Sequence, residues 1–199
     1  MTADAALHIT DDPEADALLT RDPLALLIGM LLDQQVAMET AFSGPLKIEQ
    51  RLAEAGAAFD AASIASFDED DFSELCRTPP AIHRYPANMA GRVQVLCRAL
   101  VDDWGADASA IWTRDEPDGR TVLARLKALP GFGDQKAQIF VALLGKRRGF
   151  TGAGWREAAG AYGEEDSFRS VADIVSPESL AKVRATKQAA KAAARESKK

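Results

Sequence analysis

The stretch Leu126 to Leu144, LKALPGFGDQKAQIFVALL, joins the apolar end of one helix to the amphipathic start of another through Pro130-Gly131-Phe132-Gly133. Gly131 and Gly133 permit positive φ and carry no side chain that would block a close approach. Such a turn directs its own amides and the N-terminus of the following helix outward together, which makes a cradle for an anion. A nucleic-acid phosphate is a natural occupant, because backbone contacts position a protein without reading sequence. A plain helix-loop-helix with a glycine cap is the alternative reading of the same residues.

Outward from this stretch the apolar period is helical, three and four rather than two, and an all-α protein is expected. Asp22-Pro23 reads as an N-cap with a first-turn proline, opening an apolar helix through Leu24, Leu27, Ile28, Leu31 and Gln35 that is expected to be central and buried. A second helix begins near Met38, breaks at Gly44-Pro45 and resumes to Gly56. Asp68 to Asp71 place acids in the first turn of a short helix that Thr78-Pro79-Pro80 stops. Met89, Val93, Leu96, Cys97, Leu100 and Trp104 form one stripe on a helix running from Pro86 to Gly105. Residues 149 to 166 are glycine-rich, with at most a short helix around Trp155 to Ala161. Ser176-Pro177 caps a last helix that is expected to fray into an Ala/Lys tail. No long repeat is present.

The 199 residues allow a core without disulfide or metal staples. The longest apolar run, Leu24 to Leu32, is too short to span a bilayer, and the N-terminus opens with acids, so a cytoplasmic protein is expected. Cys76 and Cys97 are not part of a CxxC pair, and His8 and His83 stand apart; no metal and no cofactor are expected. Both cysteines fall on apolar faces and read as small buried hydrophobes. The net charge of −6 conceals a division: residues 1 to 79 carry 4 basic and 16 acidic side chains, residues 80 to 199 carry 20 and 14. The basic excess gathers at Lys146, Arg147, Arg148 and Arg156, then in Lys182, Arg184, Lys187, Lys191, Arg195, Lys198 and Lys199. It is either a solvated face or a contact for a polyanion.

LPGFGDQKA resembles the hairpin signature of the helix-hairpin-helix DNA glycosylase superfamily, which includes endonuclease III and the 3-methyladenine glycosylases. LLIGMLLDQQVAMETAF, Leu26 to Phe42, is similar to the helix and turn in which that superfamily places a glutamine wedge. Among its members the match is to a small uncharacterised bacterial group. The resemblance implies two helical subdomains, residues 22–148 and residues 1–21 plus 149–199, with a DNA-binding cleft between them. It implies damaged or abasic double-stranded DNA as partner, engaged by a monomer. Gly131, Phe132, Gly133 and Lys136 then contact DNA at the hairpin, and Gln35 fills the gap left by a flipped nucleotide. Asp33 and Gln34 flank the wedge and could line a base pocket; Met38 is a second wedge candidate or a core residue.

The resemblance also implies a catalytic aspartate, because breaking an N-glycosidic bond builds positive charge on the sugar that an ionised carboxylate offsets. The corresponding window, Ala153 to Trp155, holds no aspartate. Glu157 is the nearest downstream acid and Asp33 the other candidate. The position of the Schiff-base lysine of bifunctional members is Gln135; Lys136 is one residue on, about 100° around the helix, so a lyase step is not expected. A monofunctional glycosylase, a silent DNA-structure binder and a helical protein-interaction module are the readings left open.

Overall fold

The computed structural model describes residues 6–196, and the described residues form helices, turns and loops only. The order is α1 (Pro13–Arg21), α2 (Pro23–Leu32), α3 (Met38–Phe42), α4 (Gly44–Glu54), α5 (Ala61–Ser66), α6 (Glu69–Arg77), α7 (Pro86–Trp104), α8 (Ala110–Thr113), α9 (Gly119–Lys127), α10 (Asp134–Arg147), α11 (Trp155–Ala159) and α12 (Pro177–Glu196). Two 3-10 turns, Gly160–Gly163 and Val171–Asp173, lie between α11 and α12. The expected all-α class holds. The starts follow from capping: Asp22 accepts from the amides of Leu24 and Ala25 ahead of Pro23, and Asp68 from those of Asp70 and Asp71. Asp12-Pro13 starts α1 in the same way.

α2 is apolar all round and accordingly central: every residue from Leu24 to Leu32 is buried, with α1, α3, α4 and α7 packed about it. α7 lies against α5 and α6 as well and ends at Gly105 in the left-handed region. Cys76 and Cys97 are fully buried, which pushes both thiols up to about 12. α10 organises the rest, with α9, α11 and the two 3-10 turns around it. Trp155 seats its ring on Gly145 of α10, where a Cβ would come within 2.4 Å of the ring. The buried apolar residues form one continuous core from Leu7 to Val183.

The helix expected to run through Gln35 ends earlier. α2 stops at Leu32, the Gln34 amide turns back onto the Leu32 carbonyl at 2.7 Å, and Gln35 adopts φ +59°. The apolar period did not report this stop, because the groups that impose it come from α7 and the loop before it. α12 does not fray at the Ala/Lys tail but continues to Glu196. Lys198 and Lys199 lie outside the described residues, as do the side chains of Lys191 and Arg195.

Candidate nucleic-acid interface

The hairpin is α9, the turn Ala128–Gly133 and α10. Leu129 and Phe132 donate back to Leu126 and Leu129 at 3.1 Å each, so the turn is closed by its own backbone. Gly131 has φ +81°, and a Cβ there would lie 2.4 Å from Leu31 Cδ1, so both conformation and space demand glycine. Gly133 differs from expectation: its φ is −85° and a Cβ would meet nothing within 4 Å. Its role is that of an N-cap without a side chain, which leaves the first amides of α10 uncapped on an exposed edge formed by Gly131, Gly133, Asp134 and Gln135. Asp134 in that first turn is neutralised by Lys127 at 2.5 Å. Phe132, expected to contact DNA at the hairpin, is buried. Its ring is 4% exposed, lies edge-on to Phe140 at 6.1 Å, and its amide is spent inside the turn.

The Gln35 turn stands beside the hairpin. Gln34 is locked on three sides: its side-chain amide donates to the Leu31 carbonyl at 2.8 Å, its side-chain oxygen accepts from Arg92 at 3.1 Å, and its backbone carbonyl meets His83 Nε2 at 2.8 Å. His83 Nδ1 accepts from the Tyr85 amide at 3.0 Å, so a neutral ring carries its proton on Nε2 and donates to Gln34. Gln35, between these anchors and α3, is exposed. A recess of about 350 Å³ opens next to it, walled by His83, Tyr85, Asn88, Met89 and Arg92. Met38 is 5% exposed and belongs to the core.

Lys136 ties the two pieces together. Its ammonium points inward and donates to the Leu31 carbonyl at 2.7 Å, the acceptor that Gln34 also uses, rather than standing free on the hairpin edge. Burial lowers its pKa from 10.5 to about 8, opposed by the charge of Asp33 and assisted by that of Arg92. Asp33, its side chain 18% exposed, caps the end of α2, and its Oδ2 is 3.5 Å from the ammonium of Lys187 on α12. The fold therefore gathers Asp33, Gln35, Gly131 and Lys136. Glu157 stays apart, exposed in the first turn of α11. Trp155 is held at Gly145, a Cβ on Gly160 would lie 3.5 Å from Gln138 Nε2, and Glu157 falls between those two anchors in sequence. Tyr162, not Glu157, reaches the hairpin end, where its hydroxyl accepts from Gln135 at 2.9 Å. Ala153 opens the window in which the resemblance placed an aspartate, and its carbonyl accepts from the Gly119 amide at 2.8 Å.

Much of the basic excess is committed internally. Lys146, largely but not fully buried, pairs with Asp173 at 2.6 Å, Arg148 donates to the Thr20 carbonyl, and Arg156 pairs with Glu165 at 2.7 Å. Arg184 bridges Glu39 and Asp11, joining the basic second part of the chain to the acidic first part. Arg92, His83 and Tyr162 are the residues of this site that sequence reasoning missed, and Lys187 was legible only as one cation of the basic tail. No local spacing marks them, since each meets the site across 27 or more residues of chain.

No described helix is long and apolar enough to cross a membrane. Neither the curated proteins nor the solved structures contain a significant match to the chain. Residues 28–198, from within α2 through the hairpin and along α12, match the HhH-GPD superfamily of base excision DNA repair proteins. An all-α fold built on a helix-hairpin-helix, with that match over most of its length, places this chain in the HhH-GPD superfamily of base excision DNA repair proteins.

Proposed function

We propose that the chain is a monofunctional DNA glycosylase that engages duplex DNA at a damaged or abasic nucleotide, acting as a cytoplasmic monomer. In this reading the uncapped amides of Gly133 to Gln135 and the turn at Gly131 hold a backbone phosphate. Gln35 enters the stack vacated by the flipped nucleotide. Lys136 serves the DNA interface by fixing the hairpin to the Gln35 turn. Residues 22–148 carry hairpin and wedge, and residues 1–21 plus 149–199 form the second wall of the cleft. Departure of the base leaves positive charge on the sugar; a carboxylate beside it offsets that charge and orients the attacking water. The observation that carries the reading is the position of Asp33, a largely buried carboxylate two residues from Gln35 and next to the hairpin. Asp33 is preferred to Glu157 on this ground. With Gln135 at the Schiff-base position and Lys136 bound to Leu31, hydrolysis without a lyase step is the chemistry proposed.

A silent DNA-structure binder is the second reading, favoured by Lys187, which already engages the Asp33 carboxylate. One panel of single-lesion duplexes, treated with alkali to reveal abasic sites, separates the two. The glycosylase reading expects release confined to weakly bonded bases such as alkylated purines. It expects release to be lost with Asp33→Asn while binding to an abasic duplex persists. Loss of release with Glu157→Gln and retention with Asp33→Asn would overturn the assignment of Asp33. No release from any lesion, with tight binding to the abasic duplex, would make the silent binder the function.

A further inference from the structure

We propose that α12 is an arm for duplex DNA, laying basic residues along the phosphates that flank the Gln35 turn; this rests on the DNA-binding reading above and extends it beyond hairpin and wedge. The first half of α12 is anchored. The Ser179 hydroxyl accepts from the amides of Val175 and Ser176, and Leu180 and Val183 are buried. The helix then crosses the acidic edge beside the wedge, with Arg184 on Glu39 and Asp11 and Lys187 within 3.5 Å of Asp33 and 3.6 Å of Met38 Sδ. Asp33 and Met38 bracket the Gln35 turn, so α12 passes the wedge at one helical turn's distance in sequence from its last buried anchor.

Beyond Lys187 the residues whose burial is described, Gln188, Ala189, Ala190, Ala192 and Ala193, are all exposed, yet α12 runs on to Glu196. Those nine residues span about 14 Å, the length of roughly four base pairs. Their composition suits a free-standing helix, since alanine, lysine and arginine are strong helix formers. It does not suit a protein-docking face, because the segment lacks a large apolar residue to bury. Basic residues continue through it at helical intervals, Arg184, Lys187, Lys191 and Arg195. Charge complementarity and continuity with the Gln35 edge together name DNA as the occupant. Phosphates replacing Asp33 and Glu39 as partners of Lys187 and Arg184 would also free the Asp33 carboxylate when DNA is bound.

The test is fluorescence anisotropy of the full chain and of a chain ending at Ala190 on a duplex with a central tetrahydrofuran abasic analogue, over a series of salt concentrations. The shortened chain keeps Leu180, Val183, Arg184 and Lys187, and its unfolding midpoint should match that of the full chain. Removing Lys191, Arg195, Lys198 and Lys199 should weaken binding about tenfold or more near physiological salt and lower the slope of log K against log salt by about 2 to 4. A positioned arm further requires the difference to vanish when one of the two flanks of the duplex is trimmed to below about four base pairs. An unchanged slope, or a difference that persists whichever flank is trimmed, overturns the arm while leaving hairpin and wedge standing. A full chain that binds abasic and intact duplex equally overturns the lesion-binding reading, and one that binds neither overturns that reading and the arm together.

Discussion

Lys136→Met tests how the hairpin is joined to the Gln35 turn. In the folded protein the Lys136 pKa falls from 10.5 to about 8, chiefly because burial disfavours the ammonium. The unfolded chain therefore binds more protons at this site between pH 8 and pH 10.5, and stability rises with pH through that window. The penalty is present in full below pH 8 and fades above it. Integrating the two titrations from pH 7 to pH 10 gives about 2.5 kcal/mol, at 1.36 kcal/mol per pKa unit, and about 1.5 kcal/mol after discounting for solvent near the partly exposed side chain. Methionine preserves the apolar stem and removes the proton. The Leu31 carbonyl keeps its bond from the Gln34 side-chain amide at 2.8 Å, so the substitution strands no acceptor. Urea unfolding of both proteins at steps from pH 7 to pH 10 gives the difference curve, in which the titrations of Cys76, Cys97 and the other lysines cancel. The unmodified protein should gain about 1 to 2.5 kcal/mol on the variant across that range. A flat difference curve would refute the burial of this ammonium and with it the junction between hairpin and wedge.

Two further outcomes follow from local geometry. Gln35 holds φ +59°, a conformation that costs a side-chain-bearing residue about 1 kcal/mol, so Gln35→Gly should raise stability by about 0.5 to 1 kcal/mol while abolishing the preference for an abasic over an intact duplex; a stability gain with the preference intact would remove Gln35 from the wedge role. Lys146→Met should lower stability by about 3 kcal/mol in chemical unfolding. It strands Asp173, 2% exposed, with only Ser167 and the amides of Arg169 and Ser170 as partners, and a loss below 1 kcal/mol would mean that solvent reaches this carboxylate.

The helices and the hairpin were legible because their determinants are local. Asp22-Pro23 and Asp68 carry their caps within three residues, the stripe from Met89 to Trp104 repeats at the helical period, and the turn at Gly131 is written in adjacent residues. Gly131 is also where local and long-range demands coincide, since its positive φ is a property of the turn and its missing Cβ makes room for Leu31 from α2. The site was legible only in part. Sequence could name Asp33, Gln35 and Glu157 as polar residues of interest, but not say which acid stands at the hairpin, because α11 is seated by Trp155 on Gly145 and that contact sets Glu157 away from the turn. Lys136 read as a surface cation from its place on the hairpin. The tertiary structure turned it inward, because the end of α2 offers a carbonyl and Asp33 a charge from about 100 residues away in the chain. Charge counts alone left the basic tail between solvent and polyanion; packing decided that Arg184 and Lys187 cross the acidic edge beside Gln35, where α12 is anchored by Leu180 and Val183. Periodicity and capping are short-range signals carried by neighbouring residues, whereas the partners of a buried charge are chosen only when distant helices close on one another.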